Sequence, residues 1–561
     1  MDKAVEMGKT SATGGLQLFF GRIASTLVMA IGSIVVGIYI AQSDYGLYTI
    51  ALVPSATLLL FMDWGVGSAM IKYCANYKAK KMEEELRNTI VAGFMFLVAS
   101  GLALTLLSLL LASYLASTIF NSPQSTLLIA LASLTVFSTA INLGSDSVFV
   151  GFEKMKLKTI TLIVAATAQG LLSPLLVYLG FGAFGAMVGY TIGSIASGVT
   201  AVSLLYFGII RKLPKRSLNM SKVFETVKLL LNYGIPLSIG NIMGGLSPQI
   251  YSFLMASFTD KVLIGNYRIA GNFAVILTFF MYPIQTVLFP AFSKISPSKD
   301  KPLLKTVFSS SAKYSSLFLV PVVIALMVLS GPLINTLYGD KWPFAPFYLT
   351  LYVVGDLFVL LGNPMYGLLL NATGETRLIM KLSALKLCIG VPVAFLLIPS
   401  FGILGLIVGS LISGVPTTLA GLFLTWKRYE TKVDLGNSAK ILLASTIAGI
   451  VTYLFQTIIV APAFMILALG VTLFLTTYLV SAPLIGAANQ TDIINLKAMF
   501  SGLGPTSKLL GMLLTPAEKT LNIRKKMLEH TTKSKQTLGS SINRQYPKNE
   551  VPSEPPEDQD G

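Results

Sequence analysis

Apolar residues fill this chain in long unbroken runs, not in the period-two alternation of half-buried strands or the narrow stripe of a soluble amphipathic helix. A helix needs roughly 20 apolar residues to cross about 30 Å of hydrocarbon. Runs of that length lie near 15–40, 47–71, 89–111, 125–148, 159–179, 184–207, 229–256, 263–289, 314–336, 346–370, 379–399, 403–426, 441–460 and 463–484. They predict an all-α polytopic membrane protein of about 14 spans. A membrane β-barrel would show short alternating segments, so helices are the consistent reading.

The polar breaks between runs alternate in charge. The segment 71–88 carries Lys72, Lys78, Lys80, Lys81 and Arg87, whereas 112–124 carries no Lys or Arg. Lys154, Lys156 and Lys158 come next, then a break without cations, then Arg211, Lys212, Lys215, Arg216, Lys222 and Lys228, and the alternation continues to Lys427, Arg428, Lys432 and Lys440. Because cationic loops are retained in the cytosol, both termini of a multi-pass protein of the cytoplasmic membrane are expected inside.

The chain also reads twice. Phe181-Gly182-Ala183-Phe184-Gly185-Ala186-Met187-Val188-Gly189 returns 220 residues later as Phe401-Gly402-Ile403-Leu404-Gly405-Leu406-Ile407-Val408-Gly409. Near the same spacing, Tyr45-Gly46-Leu47-Tyr48 pairs with Ile264-Gly265-Asn266-Tyr267. A duplicated membrane domain with a site between its halves is the organisation of many transporters. The expected division is an N-lobe of six spans at 1–210, a linker at 211–228, a C-lobe of six spans at 229–428 and two additional spans at 429–490. An amphipathic interfacial segment at 491–528 and a disordered cytoplasmic tail at 529–561 follow.

Composition narrows the function classes. With 53% hydrophobic and 12% charged residues and a mean hydropathy of +0.72, the bilayer is the solvent. The net charge of +17 reads as topology plus attraction to anionic membrane lipid, and nucleic acid is not an expected partner. The only histidine, His530, lies in the tail, and the two cysteines, Cys74 and Cys388, sit in or beside helices. No metal site, catalytic set or disulfide is therefore expected, and no cofactor beyond coupling to a Na+ or H+ gradient or to the membrane potential.

Charges inside spans are expensive and point to function. Arg22, about eight residues into the first span, Arg268 near the outer end of the eighth and Lys386 in the eleventh are candidates for a cavity that holds an anion, as a guanidinium fork suits phosphate. Snorkelling to the interface is the alternative for each. Asp356, near the middle of the tenth span, is a candidate counter-ion or ion-coupling carboxylate, as is Asp63, whose place near the end of the second favours a structural role. Asn142, Gln169, Asn241, Gln249 and Asn363 are candidates for lining a wet cleft, with interhelical hydrogen bonding as the alternative.

Several short motifs then fall in a telling order: Asp44-Tyr45-Gly46-Leu47-Tyr48, Asp63-Trp64-Gly65-Val66-Gly67, Tyr233-Gly234-Ile235-Pro236, Ile264-Gly265-Asn266-Tyr267-Arg268-Ile269-Ala270, Phe289-Pro290-Ala291-Phe292-Ser293 and Leu337-Tyr338-Gly339-Asp340-Lys341-Trp342. With them the chain resembles the Wzx-like polysaccharide biosynthesis flippases, in the superfamily that also holds lipid II flippases and multidrug and toxin extrusion antiporters. The resemblance spans about residues 10–490. It implies two V-shaped lobes moving a lipid-linked oligosaccharide by alternating access, with Arg22 and Arg268 on the helices whose arginines line a cationic cavity in lipid II relatives. It sets Gln249 where relatives often carry an acid, which weighs against ion coupling there. The expected substrate is an isoprenoid-phosphate- or pyrophosphate-linked glycan, with glycan assembly enzymes as further partners. A drug or cation antiporter is the first alternative, and a membrane glycosyltransferase or sugar polymerase the second. The external loops are too short for an enzyme's catalytic surface.

Overall fold

A computed structural model describes residues 2–213, 219–295, 300–501 and 515–524. The N-terminal half runs through α1 (Asp2–Tyr39), α2 (Gln42–Leu59), α3 (Val66–Ala79), α4 (Glu83–Tyr114), α5 (Thr126–Gly151), α6 (Met155–Leu176) and α7 (Gly182–Gly208). Its counterpart comprises α8 (Met220–Phe258), α9 (Lys261–Ala274), α10 (Ile276–Lys294), α11 (Lys301–Val328), α12 (Ser330–Tyr338), α13 (Ala345–Val353), α14 (Asn363–Ala372), α15 (Thr376–Phe401) and α16 (Ile403–Tyr429). Helices α17 (Leu435–Ile458), α18 (Ala463–Ile485) and α19 (Gln490–Ser501) follow. No strand occurs among the described residues.

Eleven helices are long and apolar enough to span a membrane, or twelve when the bent pair α13–α14 counts as one. That differs from the fourteen runs of the sequence for two physical reasons. The second run is not one helix: Trp64 and Gly65 adopt φ of 46° and 78° and break it into α2 and α3. The fifth and sixth runs form one 58-residue stretch, turned back on itself where Gly180 and Gly182 take φ of 92° and 50°.

That turn explains the repeated glycine motif. Gly182 (φ 50°, ψ −133°) and Gly402 (φ 55°, ψ −125°) hold the same left-handed turn in the two halves, a conformation that a side chain disfavours. Gly185 and Gly405 let the returning helix lie against the backbone of the helix just left. The most regular repeat in the sequence, Phe181–Gly189 with Phe401–Gly409, is thus a duplicated turn.

The chain forms two compact units. Of the described residues, the first holds those up to 434 and 459–469, and the second holds 435–458, 470–501 and 515–524. Within the first, cations gather at one end: Lys78 donates to the Phe152 carbonyl at 2.9 Å and Lys154 to the Gly208 carbonyl at 2.9 Å. Lys222 pairs with Glu84 at 2.7 Å, and Lys305 and Lys301 both reach Glu430. This is the basic end. In the second unit, Ser481 of α18 donates to the Ala444 carbonyl of α17 at 3.2 Å, and Arg524 caps the Pro483 carbonyl at 2.9 Å. The expected amphipathic segment is helical over Gln490–Ser501 and 515–524; the tail expected to be disordered lies outside the described residues.

Local chemistry sets the helix starts. Asn219 caps α8 by accepting from the Ser221 amide, and Asp260 caps α9 through the Val262 amide. Since α8 begins at Met220, Lys222 and Lys228 lie on the helix and the linker is shorter than 211–228.

Candidate functional site

The two halves meet face to face in the first unit, and Arg268 stands at their meeting point. Asp260 starts α9, whose residues 268 and 272 share one helical face with Val275 just past its end. Arg268, Asn272 and Val275 form the common wall of two cavities. The larger, about 810 Å³, lies chiefly in the C-terminal half, with Thr49 of α2 on its wall, and is bounded by Tyr267, Tyr352, Asp356, Asn363, Tyr366 and Lys386 among others. The smaller, about 370 Å³, runs along α1 between the halves and is bounded by Met29, Ala30, Ile34, Val36, Gly170 and Phe273 among others.

Tyrosines surround the guanidinium. Tyr45, Tyr48 and Tyr190 from the N-terminal half and Tyr267 and Tyr352 from the C-terminal half lie within its electrostatic reach. Arg268 is solvent-exposed although it sits deep in the molecule, because it faces the cavities. Asn272, one turn on, donates to Ser33 Oγ at 2.8 Å and to the Tyr45 hydroxyl at 3.0 Å, tying α9 to α1 and α2.

The larger cavity forms where a helix fails. Between α13 and α14 the backbone runs as a 3₁₀ segment, Val354–Leu361, and turns by 60° at Gly362, which takes φ 81°. A 3₁₀ run of eight residues is long for its kind, and such runs mark strain or function. The segment presents Gly355, Asp356 and Phe358 to the cavity, and Asn363 opens the next helix. Neither Arg268 nor Lys386 forms an ion pair with Asp356 among the described residues, so the cavity holds two separate cations and one carboxylate.

Away from the basic end the halves are clasped by the motif residues. Asn266 donates to Gln42 Oε1 at 3.1 Å and accepts from the Phe344 amide at 3.1 Å. Gln42 donates to the Lys341 carbonyl, Lys341 Nζ donates to the Ile38 carbonyl at 2.6 Å, and the buried Trp342 donates its indole N–H to the Gly37 carbonyl at 3.2 Å. Gly46 and Gly265 bring α2 and α9 into backbone contact, where a methyl group on either would overlap the partner chain.

The residues singled out in the sequence have different fates. Arg268, Lys386, Asp356 and Asn363 meet at the larger cavity, and Gln169 lines the smaller one. Arg22 is exposed on α1 one turn beyond Thr26 and lines neither cavity. Asp63 accepts from the Gly67 amide at 2.6 Å and so caps α3. Asn142 accepts from Ser197 Oγ at 2.9 Å and donates to the Ser138 carbonyl, holding α5 to α7. Gln249 is half-buried on α8 and borders neither cavity. The tyrosine ring and Asn272 were missed. The repeat carried a signal for the former, because Tyr48 and Tyr267 are equivalent positions and both flank Arg268.

A profile of the family described as polysaccharide biosynthesis protein matches residues 15–345, more than half the chain. The chain belongs to that family. Among relatives of this family member is the lipopolysaccharide biosynthesis protein WzxC of Escherichia coli K12, 25% identical over 72% of this chain and 79% of that protein. The probable low-salt glycan biosynthesis flippase Agl15 of Haloferax volcanii is 22% identical over 54% and 66%. Among solved structures, the lipid II flippase MurJ in an inward closed conformation superposes with a TM-score of 0.67 at 17% identity, over 84% of this chain and 98% of that one. At that identity the likeness shows the fold.

Proposed function

We propose that this family member is a flippase, not an enzyme, and that it carries an isoprenoid-phosphate- or pyrophosphate-linked oligosaccharide from the cytosolic to the outer leaflet by alternating access. The observation that carries this reading is the position of Arg268. A permanently charged guanidinium stands where both cavities and both halves meet, ringed by hydroxyl donors, in surroundings with one carboxylate. Phosphate is the group such a fork receives best. The names of WzxC and Agl15, glycan-building proteins in bacteria and archaea, support the same class of substrate. A drug or cation antiporter would use acidic residues in the cavity, where this chain has a cationic excess.

By the charge rule the basic end faces the cytosol, so both termini are cytosolic and the α2–α9 clasp is the outer seal. Asp356 is the carboxylate through which a Na+ or H+ gradient would act, the alternative drive being the membrane potential on an anionic headgroup. Enzymes that assemble the glycan supply the substrate on the basic side. Orientation is tested with cysteines at Asp340 and Glu153, both exposed: an impermeant reagent on intact cells labels the first and not the second. Function is tested in a strain deleted for this gene. Lipid-linked glycan accumulates in the inner leaflet, wild type clears it, R268A does not, and R268K clears part of it. Full clearance by R268A would sink the anion-site reading.

A further inference from the structure

The two cavities that share the Arg268 wall are chemically unlike. The smaller one is faced mainly by Met29, Ala30, Ile34, Val36, Phe273 and Ile276, and its polar groups are largely engaged with protein. Thr26 donates to the Arg22 carbonyl, Ser173 to the Ala186 carbonyl, and Ser33 and Tyr45 are taken up by Asn272. The Tyr338 hydroxyl is buried without a partner, and the Tyr48 hydroxyl and Gln169 amide on the same cavity make no hydrogen bond among the described residues.

The larger cavity has the more polar lining, with Lys386, Asp356, Asn363, Tyr267, Tyr352 and Tyr366 on its walls, although others of its polar groups, such as Ser410 and Thr417, bond to the backbone. Lys386 and Asp356 form no ion pair, and the Tyr267 and Tyr352 hydroxyls have no hydrogen-bond partner among the described residues. Ser247 Oγ is buried there without a partner as well. Tyr352 and Asp356 are exposed to this cavity and Tyr267 and Lys386 are half-buried against it, so their polar atoms are open to a ligand rich in hydroxyls, while the apolar lining of the smaller cavity suits hydrocarbon. An isoprenoid-linked sugar has this layout, with its anion at the junction of an apolar and a polar end.

We propose that the two cavities bind opposite ends of one amphiphile: the first isoprene units along α1 in the smaller, the phosphate on Arg268 at the partition, and the phosphate-proximal sugar in the larger. This rests on the flippase reading and goes beyond it, since it assigns each end of the substrate to a chamber. Both volumes fall within the range of small-ligand sites. The remaining tail stays in the bilayer, so selectivity for the glycan is set by α8 and α13 to α16, and selectivity for the carrier by α1 and α6.

The test uses the full-length protein in nanodiscs and two half-substrates, farnesyl phosphate and a hexose 1-phosphate, with binding followed by native mass spectrometry. A30F, or the milder A30L, fills the smaller cavity; S410F or S410L fills the larger, which Ser410 of α16 lines; and R268Q removes the shared charge. Each variant is first checked for a cooperative melt. We expect A30F to weaken farnesyl phosphate at least about tenfold while changing the hexose 1-phosphate by less than about twofold, and S410F to do the reverse. R268Q weakens both. If filling either cavity affects both probes alike while R268Q still weakens both, the two-ended assignment is wrong and the flippase reading survives. If wild type binds neither probe, or R268Q changes neither, both fall together.

Discussion

The two halves touch at both ends of the first unit, and the two contacts are made of different material. At the end away from the cations the contact is a clasp of amphipathic groups: Gln42 with Asn266, Lys341 and Trp342 on backbone carbonyls of α1, and Lys261 with Gln124 at 3.0 Å. Phe120 and Phe253 add a ring contact at 5.1 Å. At the basic end the contact is an aliphatic core. Val223 and Leu230 of α8 are fully buried among Val66, Met70, Leu86 and Ile90 of α3 and α4, and Gly65 meets Gly234 backbone to backbone. The basic end of the C-terminal half has its own core around Phe292, Phe308, Met365 and Leu369, in which α8 takes no part.

The difference is one of what water can replace. A parted hydrogen bond is remade to solvent, so each contributes a net of only about 0.5–1.5 kcal/mol. Aliphatic side chains have no such substitute, and exposing each costs about 1.5–3 kcal/mol. Although the clasp also buries Trp342, it is therefore the contact expected to open, and the first half of α8 is expected to move with the N-terminal half that it packs against. The mechanical boundary then lies inside α8, near Ile235-Pro236, where proline removes a helix hydrogen bond.

The largest effect is expected from breaking the aliphatic contact. L230D should leave no monodisperse protein on size exclusion, and L230A should cost about 2–5 kcal/mol as a cavity substitution, read as a drop in melting temperature. An equally stable L230A would mean that the core is not shared between the halves. Crosslinking separates the two contacts more sharply. Oxidised Q42C/N266C should stop transport and recover on reduction, while oxidised E84C/K222C should leave transport running. The bond can form where Cα atoms approach within about 7 Å. Arrest by the second pair would place the moving contact at the basic end as well.

W342A should weaken the clasp without unfolding the protein, because the indole closes one edge of it. Its signature is faster labelling of a cysteine at Tyr267 from the outer side. Labelling at the wild-type rate would assign Trp342 to stability alone. The smallest effect concerns Lys222, whose ammonium is held above the usual lysine range by the hydrogen bond and charge of Glu84. A raised folded value means that this contribution is complete below the unfolded value of about 10.4 and is lost as pH rises through the folded one. Wild type and K222Q should therefore differ slightly in melting temperature at about pH 8 and converge as the pH rises past the folded value. A difference that grows with pH would reverse the assignment.

Much of this was legible in the residues. The runs, the alternation of charge and the internal repeat depend on segment composition, and membrane insertion responds to segments, so the all-α duplicated plan could be read directly. Arg268, Asp356, Lys386 and Asn363 were selected because a polar group inside a span needs a reason, and they meet at one cavity. The same rule selected Asp63 and Asn142, which cap a helix and bridge two others. It also selected Arg22, which borders neither cavity. The price of burial is the same whether a polar group serves packing or a substrate, so depth in a span does not separate the two.

The sequence by itself determined the solvent, the number and order of apolar runs, and the duplication. Only the tertiary structure decided that the second run breaks at Gly65, that the tenth unwinds beside Asp356, and that the first half of α8 joins the other lobe's core. Only it placed the tyrosines around Arg268 and put one apolar and one polar chamber on either side. The physical reason is that insertion depends on how apolar a segment is. What a side chain meets depends on how each helix is rotated and bent against its neighbours, and that is fixed by contacts between residues hundreds of positions apart, such as Gly37 with Trp342.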